Sequence, residues 1–253
     1  MSEGPTSPRY GLHADRYRRY RPGYPAWLFD EAAEACGLPR ARAAELGAGS
    51  GQATPEILKR FAHVIAVEPD ADMAARIAPD RRLEVRVAPA ETVSFDKPLD
   101  AVFSATAFHW MDAAVVGSRV AASLRPGGVF LAFGYRPFEV LGPISAKLLV
   151  DHEMRLWSPH IDPRLTQWKP YPELMAASGA FPDILPFTFD FTEQRTPAAA
   201  AGLFLTTSYA GQYARDSANE QDYCDDFTRR MAQAAHGGPI EVGFFVTGAL
   251  ARV

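Results

Sequence analysis

A chain of 253 residues, 47% of them hydrophobic and 22% charged, has enough apolar side chains to bury a substantial core, the size of one large domain or one domain with an insertion. Its formal charge of -4 provides no global basic field, which argues against nucleic acid or an anionic membrane as partner. The opening MSEGPTSPRYGLHADRYRRYRPGYP lacks the apolar stretch of a secretory signal, and no run elsewhere approaches the ~18 apolar residues of a membrane span, so the expected compartment is the cytoplasm.

In chain order, Tyr24 to Cys36 (YPAWLFDEAAEAC) reads as a helix, with a proline near its start, apolar residues on one face and Gly37 as a stop signal. Residues 41–46 read as a short strand running into AELGAGSG, Gln52 to Phe61 as a helix, and His63 to Glu68 (HVIAVE) as a strand rich in β-branched residues. This βαβ unit wants a parallel sheet. The pattern continues with Ala71 to Ile77 as helix, Leu83 to Ala88 and Asp100 to Ser104 as strands, and Asp112 to Leu124 as helix. RPGG at Arg125 to Gly128 then reads as a turn into a strand from Val129 to Phe133.

Beyond Tyr135 the composition shifts. Residues 136–182 interleave Pro137, Pro143, Pro159, Pro163, Pro170 and Pro172 with Trp157, Trp168, Tyr171 and Phe181, which reads as an insertion capping the core and not as a further βα repeat. Ile184 to Phe191 alternates with period two, Ala198 to Tyr209 and Glu220 to Ala235 read as helices, and Ile240 to Leu250 as a last strand, the two late strands forming a hairpin-like edge. The expectation is a single domain on a Rossmann-like doubly wound α/β sheet of seven strands, mostly parallel with an antiparallel edge strand. Its parts are 1–37 as N-terminal lid and helix, 38–135 as cofactor-binding core, 136–182 as helical cap, and 183–253 completing the sheet. Cys36 and Cys224 are too far apart to suggest a disulfide framework and the histidines are scattered, so reduced thiols and no metal are expected.

The glycine-dense turn leaves a strand and opens a helix, where backbone N–H groups and a helix N-terminus face a ligand. A dinucleotide fingerprint G-x-G-x-x-G counted from Gly47 needs glycine at position 52, which is Gln52; the third glycine, Gly51, comes one place early. Glu68, at the end of the following strand, is a carboxylate able to accept two adjacent hydroxyls.

The spacing E-x-G-x-G-x-G from Glu45 through Gly51 resembles motif I of the class I S-adenosylmethionine-dependent methyltransferases. LDAVFSATAFHWMD, Leu99 to Asp112, followed by LRPGGVFLAF, resembles the small-molecule branch that includes trans-aconitate methyltransferase-like proteins. The resemblance implies S-adenosylmethionine as cofactor and S-adenosylhomocysteine as product, with Glu45, Gly47, Gly49 and Gly51 beside its amino-acid part. It also implies Glu68 and Pro69 at the ribose, Ala90 and Glu91 near the adenine, and Ser104 and Thr106 bordering the pocket. An N-terminal segment of the YRRYRPGYP kind is implied to fold over the cofactor, with Tyr20 and Arg21 near its carboxylate. Read without the resemblance, the same block of arginines and tyrosines is a solvated helix or a short single-strand nucleic-acid contact.

His109 is the histidine placed beside the expected pocket, where a neutral imidazole can act as a base or shape the wall with Trp110 and Tyr135 to hold substrate. If the substrate is a carboxylate no base is needed, and an arginine that orients it does more; Arg136, Arg155 and Arg164 are the candidates. Ser104-Ala105-Thr106-Ala107 stands where a nitrogen-methylating enzyme of the Asn/Asp-Pro-Pro-Tyr/Phe type would carry that motif. The expected activity is therefore methyl transfer to an oxygen, carboxylate or hydroxyl, of a small organic molecule, by a monomer or homodimer. The alternatives are a cofactor-binding fold with a non-methylating or partner role, and a nicotinamide-dependent oxidoreductase.

Overall fold

The computed structural model describes residues 14–135 and 138–253. In chain order the elements are α1 (Ala14–Tyr20), α2 (Ala26–Cys36), β1 (Arg42–Leu46), α3 (Thr54–Leu58), β2 (His63–Glu68), α4 (Ala71–Ala74), β3 (Leu83–Val87), β4 (Leu99–Ala105), α5 (Ala113–Ser123) and β5 (Leu124–Tyr135). They continue with β6 (Glu139–Gly142), α6 (Ile144–Trp157), α7 (Pro163–Thr166), α8 (Tyr171–Ala176), β7 (Asp183–Arg195), α9 (Pro197–Phe204), α10 (Ser208–Asp216), α11 (Glu220–Ala234) and β8 (Ile240–Arg252). The eight strands lie in the order β3-β2-β1-β4-β5-β8-β6, with β7 beside β8. This is the expected Rossmann-like α/β architecture, with one strand, β6, that the sequence reading left inside the cap.

The chain forms two compact units, one of residues 22–134, 169–188 and 246–253, the other of residues 14–21, 135, 138–168 and 189–245 among those described. Residues 136–182, read from sequence as one insertion, are thus divided after Trp168.

The first unit contains the parallel strands. β1 pairs with β2 and with β4, β2 with β3, and β4 with β5, all parallel. Because β1 leads outward to β2 and β3 while β4 lies on its other side, the sheet changes direction between β1 and β4. The carboxyl ends of those two strands form the crevice in which open α/β sheets bind ligands. The central strands are buried on both faces, so they read as continuous apolar runs: Ala43 and Ala44, Val64 to Val67, Ala101 to Phe103 and Val129 to Phe133 are all essentially inaccessible. α2 packs Leu28, Phe29, Ala32, Ala33 and Cys36 inward and stops at Gly37, whose φ of 68° suits glycine.

One buried acid ties this unit together at the opposite end of the strands. Asp100 of β4 accepts from the Arg42 backbone N–H at 2.8 Å and from Arg125 Nε at 2.5 Å, while Arg125 Nη2 donates to the Cys36 carbonyl at 2.7 Å. The RPGG stretch, expected to be a turn before the last parallel strand, lies inside β5. Gly127 takes a φ of 76°, and the β4–β5 register shifts between Leu99 and Ala101. The irregularity absorbs what four turn-forming residues do between regular segments.

The second unit is built on the helices α6, α9, α10 and α11 around Trp157, Phe204, Phe227 and Met231, all buried. β6 pairs antiparallel with β8, Val140 opposite Val242, and Phe191 of β7 stacks on Phe244 of β8 at 4.7 Å. The helix expected from Ala198 to Tyr209 is two: Thr207 accepts from the Ala210 N–H and caps a new start, α10. Inside this unit Glu153 is fully buried with both oxygens occupied, Oε2 by the Tyr223 hydroxyl at 2.6 Å and Oε1 by Arg230 Nη1 at 2.7 Å. Trp157 Nε1 donates to Tyr223 at 2.7 Å. The network is satisfied throughout, which makes it structural.

Candidate functional site

After Leu46 the chain turns through Gly47-Ala48-Gly49-Ser50-Gly51 at the switch point. All three glycines have positive φ, 68°, 59° and 86°, a region that costs an L-residue roughly 1–2 kcal/mol. The turn is held by backbone: the Gly47 and Ala48 N–H groups both donate to the Val67 carbonyl, at 2.8 and 3.1 Å, and Gly51 N–H to the Ala48 carbonyl at 3.0 Å. At Gly47 there is also no room, since a Cβ would stand 2.4 Å from the Cβ of Ala107 in the loop after β4.

Glu68 ends β2 and is buried. Its Oε2 accepts from Gly49 N–H at 2.8 Å and its Oε1 from Asp70 N–H at 3.0 Å. Burial raises its pKa above the usual carboxylate value, and the two backbone donors pull the other way. The carboxylate therefore fastens the glycine turn to β2, a second role for a residue read from sequence only as a hydroxyl acceptor. Each oxygen keeps further lone-pair capacity for a ligand. Pro69, next to it, is exposed.

Glu45, in β1, is deeper: it is buried within the sheet and accepts from Thr54 Oγ1 at 2.6 Å. Burial pushes its pKa up to about 8, opposed by the Thr54 hydroxyl and assisted by the charge of Glu68. The folded protein thus holds a proton on Glu45 that the unfolded chain releases above its ordinary carboxylate pKa. This contribution to stability is complete below about pH 4.5 and is lost as the pH rises through about 8. Glu45→Gln keeps a neutral side chain throughout, so its melting temperature is expected to fall less between pH 5 and 8 than that of the unaltered protein, by a margin readable in thermal melts; parallel curves contradict the assignment.

The end of β4 and the loop after it supply the facing wall. Ser104 is fully buried and its hydroxyl donates to the Leu46 carbonyl at 3.0 Å, so it staples β4 to β1. The resemblance placed it at the pocket border; its proton is committed to the sheet. Thr106 has a φ of 55°, its N–H donates to the Phe133 carbonyl at 2.6 Å, and its Oγ1 lies 3.0 Å from the Tyr24 hydroxyl. Phe108, His109 and Trp110 form one turn of 3-10 helix pinned by buried Phe108 edge-on to Phe130 at 5.1 Å. The His109 and Trp110 rings are 5.0 Å apart, and His109 Nδ1 is 3.2 Å from the Tyr171 hydroxyl. Ala90 is buried, and Glu91 accepts from the Asp112 N–H at 3.0 Å, joining the loop after β3 to the start of α5.

Glu45, the three glycines, Glu68, Pro69, Ala90, Glu91, Ser104, Thr106, His109 and Trp110 all fall in the first unit, while Tyr20, Arg21 and Tyr135 fall in the second. There Arg21 Nε donates to Thr206 Oγ1 at 2.8 Å and Nη1 to the Tyr135 hydroxyl at 3.2 Å, and its guanidinium lies over the rings of Tyr17 and Phe138. The Tyr20 ring packs where a side chain at Gly202 would stand. Of the arginines proposed to orient a carboxylate, Arg155 is exposed and Arg164 is clamped on Asp162 by Nε at 3.0 Å and Nη2 at 2.7 Å. Arg136, and residues 1–13 of the expected lid, lie outside the described residues.

Sequence reasoning missed Tyr24 and Tyr171. Tyr24 was placed in a helix that begins two residues later, and Tyr171 is brought to His109 from 62 residues away; only the aromatic enrichment of the cap hinted at it.

These residues fit an adenosyl cofactor. The positive-φ glycines turn the chain tightly at the carboxyl end of β1, the thioether methyls of Met111 and Met73 lie 3.1 and 3.5 Å from the Cβ positions of Gly47 and Gly49, and Glu68 offers acceptors for hydroxyls. Among the described residues no group of three His, Cys, Asp or Glu could hold a metal ion, and no helix is long and apolar enough to cross a membrane.

Residues 44–132, inside the first unit, match a family model described as a methyltransferase domain. An uncharacterized methyltransferase of Mycobacterium tuberculosis is 35% identical over 125 residues, covering 47% of this chain and 49% of that protein. A Saccharomyces cerevisiae protein named "probable S-adenosylmethionine-dependent methyltransferase" is 31% identical over 128 residues, 47% of this chain and 44% of that one. The chain thus matches about half the length of these curated relatives. In fold, a structure described as a type II methyltransferase from Anaeromyxobacter dehalogenans superposes with a TM-score of 0.69 at 24% identity, covering 92% of this chain and 98% of that one. The matched stretch carries the switch point, the glycine turn and Glu68 together, and over it this chain is similar to a methyltransferase domain.

Proposed function

We propose that this protein catalyses S-adenosylmethionine-dependent methyl transfer to an oxygen of a small organic molecule. The observation that carries the reading is the glycine turn at the switch point, three positive-φ glycines fastened by Gly49 N–H to the buried carboxylate of Glu68. S-adenosylmethionine, when bound, supplies an electrophilic methyl group on a positively charged sulfur. The protein's own work is to align the nucleophile and keep water out, since the displacement is in-line and the leaving thioether is neutral.

The wall formed by Phe108, His109 and Trp110 suits that work. Buried Phe108 fixes the turn, Trp110 offers a broad apolar face, and His109 provides a polar edge able to meet an oxygen. Ser104-Ala105-Thr106-Ala107 at the end of β4, with Ser104 donating to the Leu46 carbonyl, supports an oxygen over an amide or nucleobase nitrogen. The resemblance of the AFHW stretch to trans-aconitate methyltransferase-like proteins supports a small acid. The net charge of -4 supports a small molecule over nucleic acid or a membrane surface as partner. The protein acts in the cytoplasm, where buried, unpaired Cys36 and Cys224 stay reduced, as a monomer or homodimer.

The test is incubation of the full chain with methyl-deuterated S-adenosylmethionine and a panel of small carboxylic acids, phenols and amines, read by mass spectrometry. Label on an oxygen of at least one acid or phenol is expected. Label only on amines, or cofactor bound with no product across the panel, contradicts the reading.

A further inference from the structure

Thr106, the first residue after β4, has a φ of 55°. A β-branched residue enters that left-handed region only where its surroundings hold it there, and such outliers gather at functional sites. Its place in the fold is a sensitive one. The next residue, Ala107, has its Cβ 2.4 Å from where one at Gly47 would stand, and from Ala107 the chain enters the 3-10 turn of Phe108, His109 and Trp110. The backbone conformation at Thr106 therefore sets the direction in which the wall facing the glycine turn leaves the sheet.

Two bonds hold it. On the backbone, the Thr106 N–H donates to the Phe133 carbonyl of β5 at 2.6 Å. On the side chain, Oγ1 shares a hydrogen bond of 3.0 Å with the hydroxyl of Tyr24, 82 residues away in the chain. Tyr24 is itself braced, because Pro25 follows it at the start of α2 and restricts it to extended backbone. Its ring meets the Phe133 ring edge-on at 5.0 Å, so Tyr24, Thr106 and Phe133 close a triangle in which each touches the other two. The rotamer of a β-branched side chain is coupled to its backbone, and a bond that fixes the threonine hydroxyl therefore also restrains the dihedrals of the residue.

We propose that Tyr24 is a positioning residue for the site: its hydroxyl, bonded to Thr106 Oγ1, holds Thr106 in the left-handed conformation and so keeps His109 and Trp110 in place against the glycine turn. The bond acts on the conformation of one residue, independently of the other contacts that Tyr24 makes. Its consequence for ligand binding rests on the methyl-transfer reading above; the conformation of the loop does not.

The experiment is a double-mutant cycle on the full chain. Tyr24→Phe keeps the ring against Phe133 and removes the hydroxyl; it is made in the unaltered protein and in Thr106→Gly, where a φ of 55° carries no steric cost. Two quantities are read well below the melting temperature: affinity for S-adenosylhomocysteine by calorimetric titration, and the Trp110 indole N–H signal in 1H–15N NMR, identified by its loss in Trp110→Phe. In the presence of Thr106, Tyr24→Phe is expected to weaken binding about three- to tenfold, the equivalent of one hydrogen bond, and to shift the Trp110 signal. In the Thr106→Gly background the same substitution is expected to change affinity by less than about twofold and to leave the Trp110 signal where Thr106→Gly puts it. Equal losses in the two backgrounds overturn the proposal, since Tyr24 then acts through another contact. A lowered melting temperature with affinity and Trp110 signal unmoved also overturns it, being the mark of a purely structural tyrosine. Should the chain bind no S-adenosylhomocysteine at all, the Trp110 signal still decides the pair, so failure of the methyl-transfer reading is distinguishable from failure of this one.

Discussion

Gly47→Val is expected to bind S-adenosylhomocysteine about 100-fold more weakly than the unaltered protein and to melt at a lower temperature. Two costs combine at this position. A φ of 68° is unfavourable for any L-residue, by roughly 1–2 kcal/mol, and more so for a β-branched one. In addition, a Cβ at 2.4 Å from the Ala107 Cβ forces the end of β1 and the loop after β4 apart. That loop carries His109 and Trp110, and a shift of about 1 Å in such a site can cost 10²-fold. Gly49→Ala is the control for conformation alone: its φ of 59° is similarly positive, but its Cβ meets only the ends of the Met73 and Gln52 side chains, at 3.5 and 4.0 Å. Calorimetric titration and thermal melts are expected to rank Gly47→Val well below Gly49→Ala. Affinity retained within about threefold in Gly47→Val would show that the turn does not hold the ligand.

Glu68→Ala is expected to weaken S-adenosylhomocysteine binding by about 1–3 kcal/mol, or roughly 5- to 150-fold, the range for losing hydrogen bonds to a charged group. The carboxylate acts twice, as acceptor for ligand hydroxyls and as anchor for the Gly49 and Asp70 N–H groups. Glu68→Gln is expected to recover little of the loss, because its amide nitrogen would face one of two backbone donors that both need an acceptor. A Gln variant with unaltered affinity would mean that the charge and the second acceptor are both dispensable.

The central strands were legible because a strand buried on both faces must be written in apolar residues: β1, β2 and β4 fall within one or two residues of their expected bounds. Helix lengths were less so. The helix expected from Gln52 is only Thr54–Leu58, since Gly51 and Gln52 still belong to the turn, and the one expected from Ala71 to Ile77 ends regular at Ala74. β6 was missed because its four residues sit among prolines, too short for any period to show. Glu45, the glycines and Glu68 come together in the structure because their spacing along one βαβ unit fixes their spacing in space. Tyr171 and Tyr24 were not legible, because each meets its partner through a fold-level return of the chain, over 62 and 82 residues. Ser104, expected at the pocket border, donates its hydroxyl to the neighbouring strand, a bond that a motif alone does not show.

The most direct test of the central claim, that the turn from Gly47 to Gly51 with Glu68 holds an adenosyl sulfur cofactor and not a dinucleotide, is a pair of calorimetric titrations of the full chain at neutral pH, one with S-adenosylhomocysteine and one with NADH. Saturable binding of S-adenosylhomocysteine, lost in Gly47→Val, with no heat from NADH is the predicted result. Binding of NADH by a folded protein that ignores S-adenosylhomocysteine would contradict it.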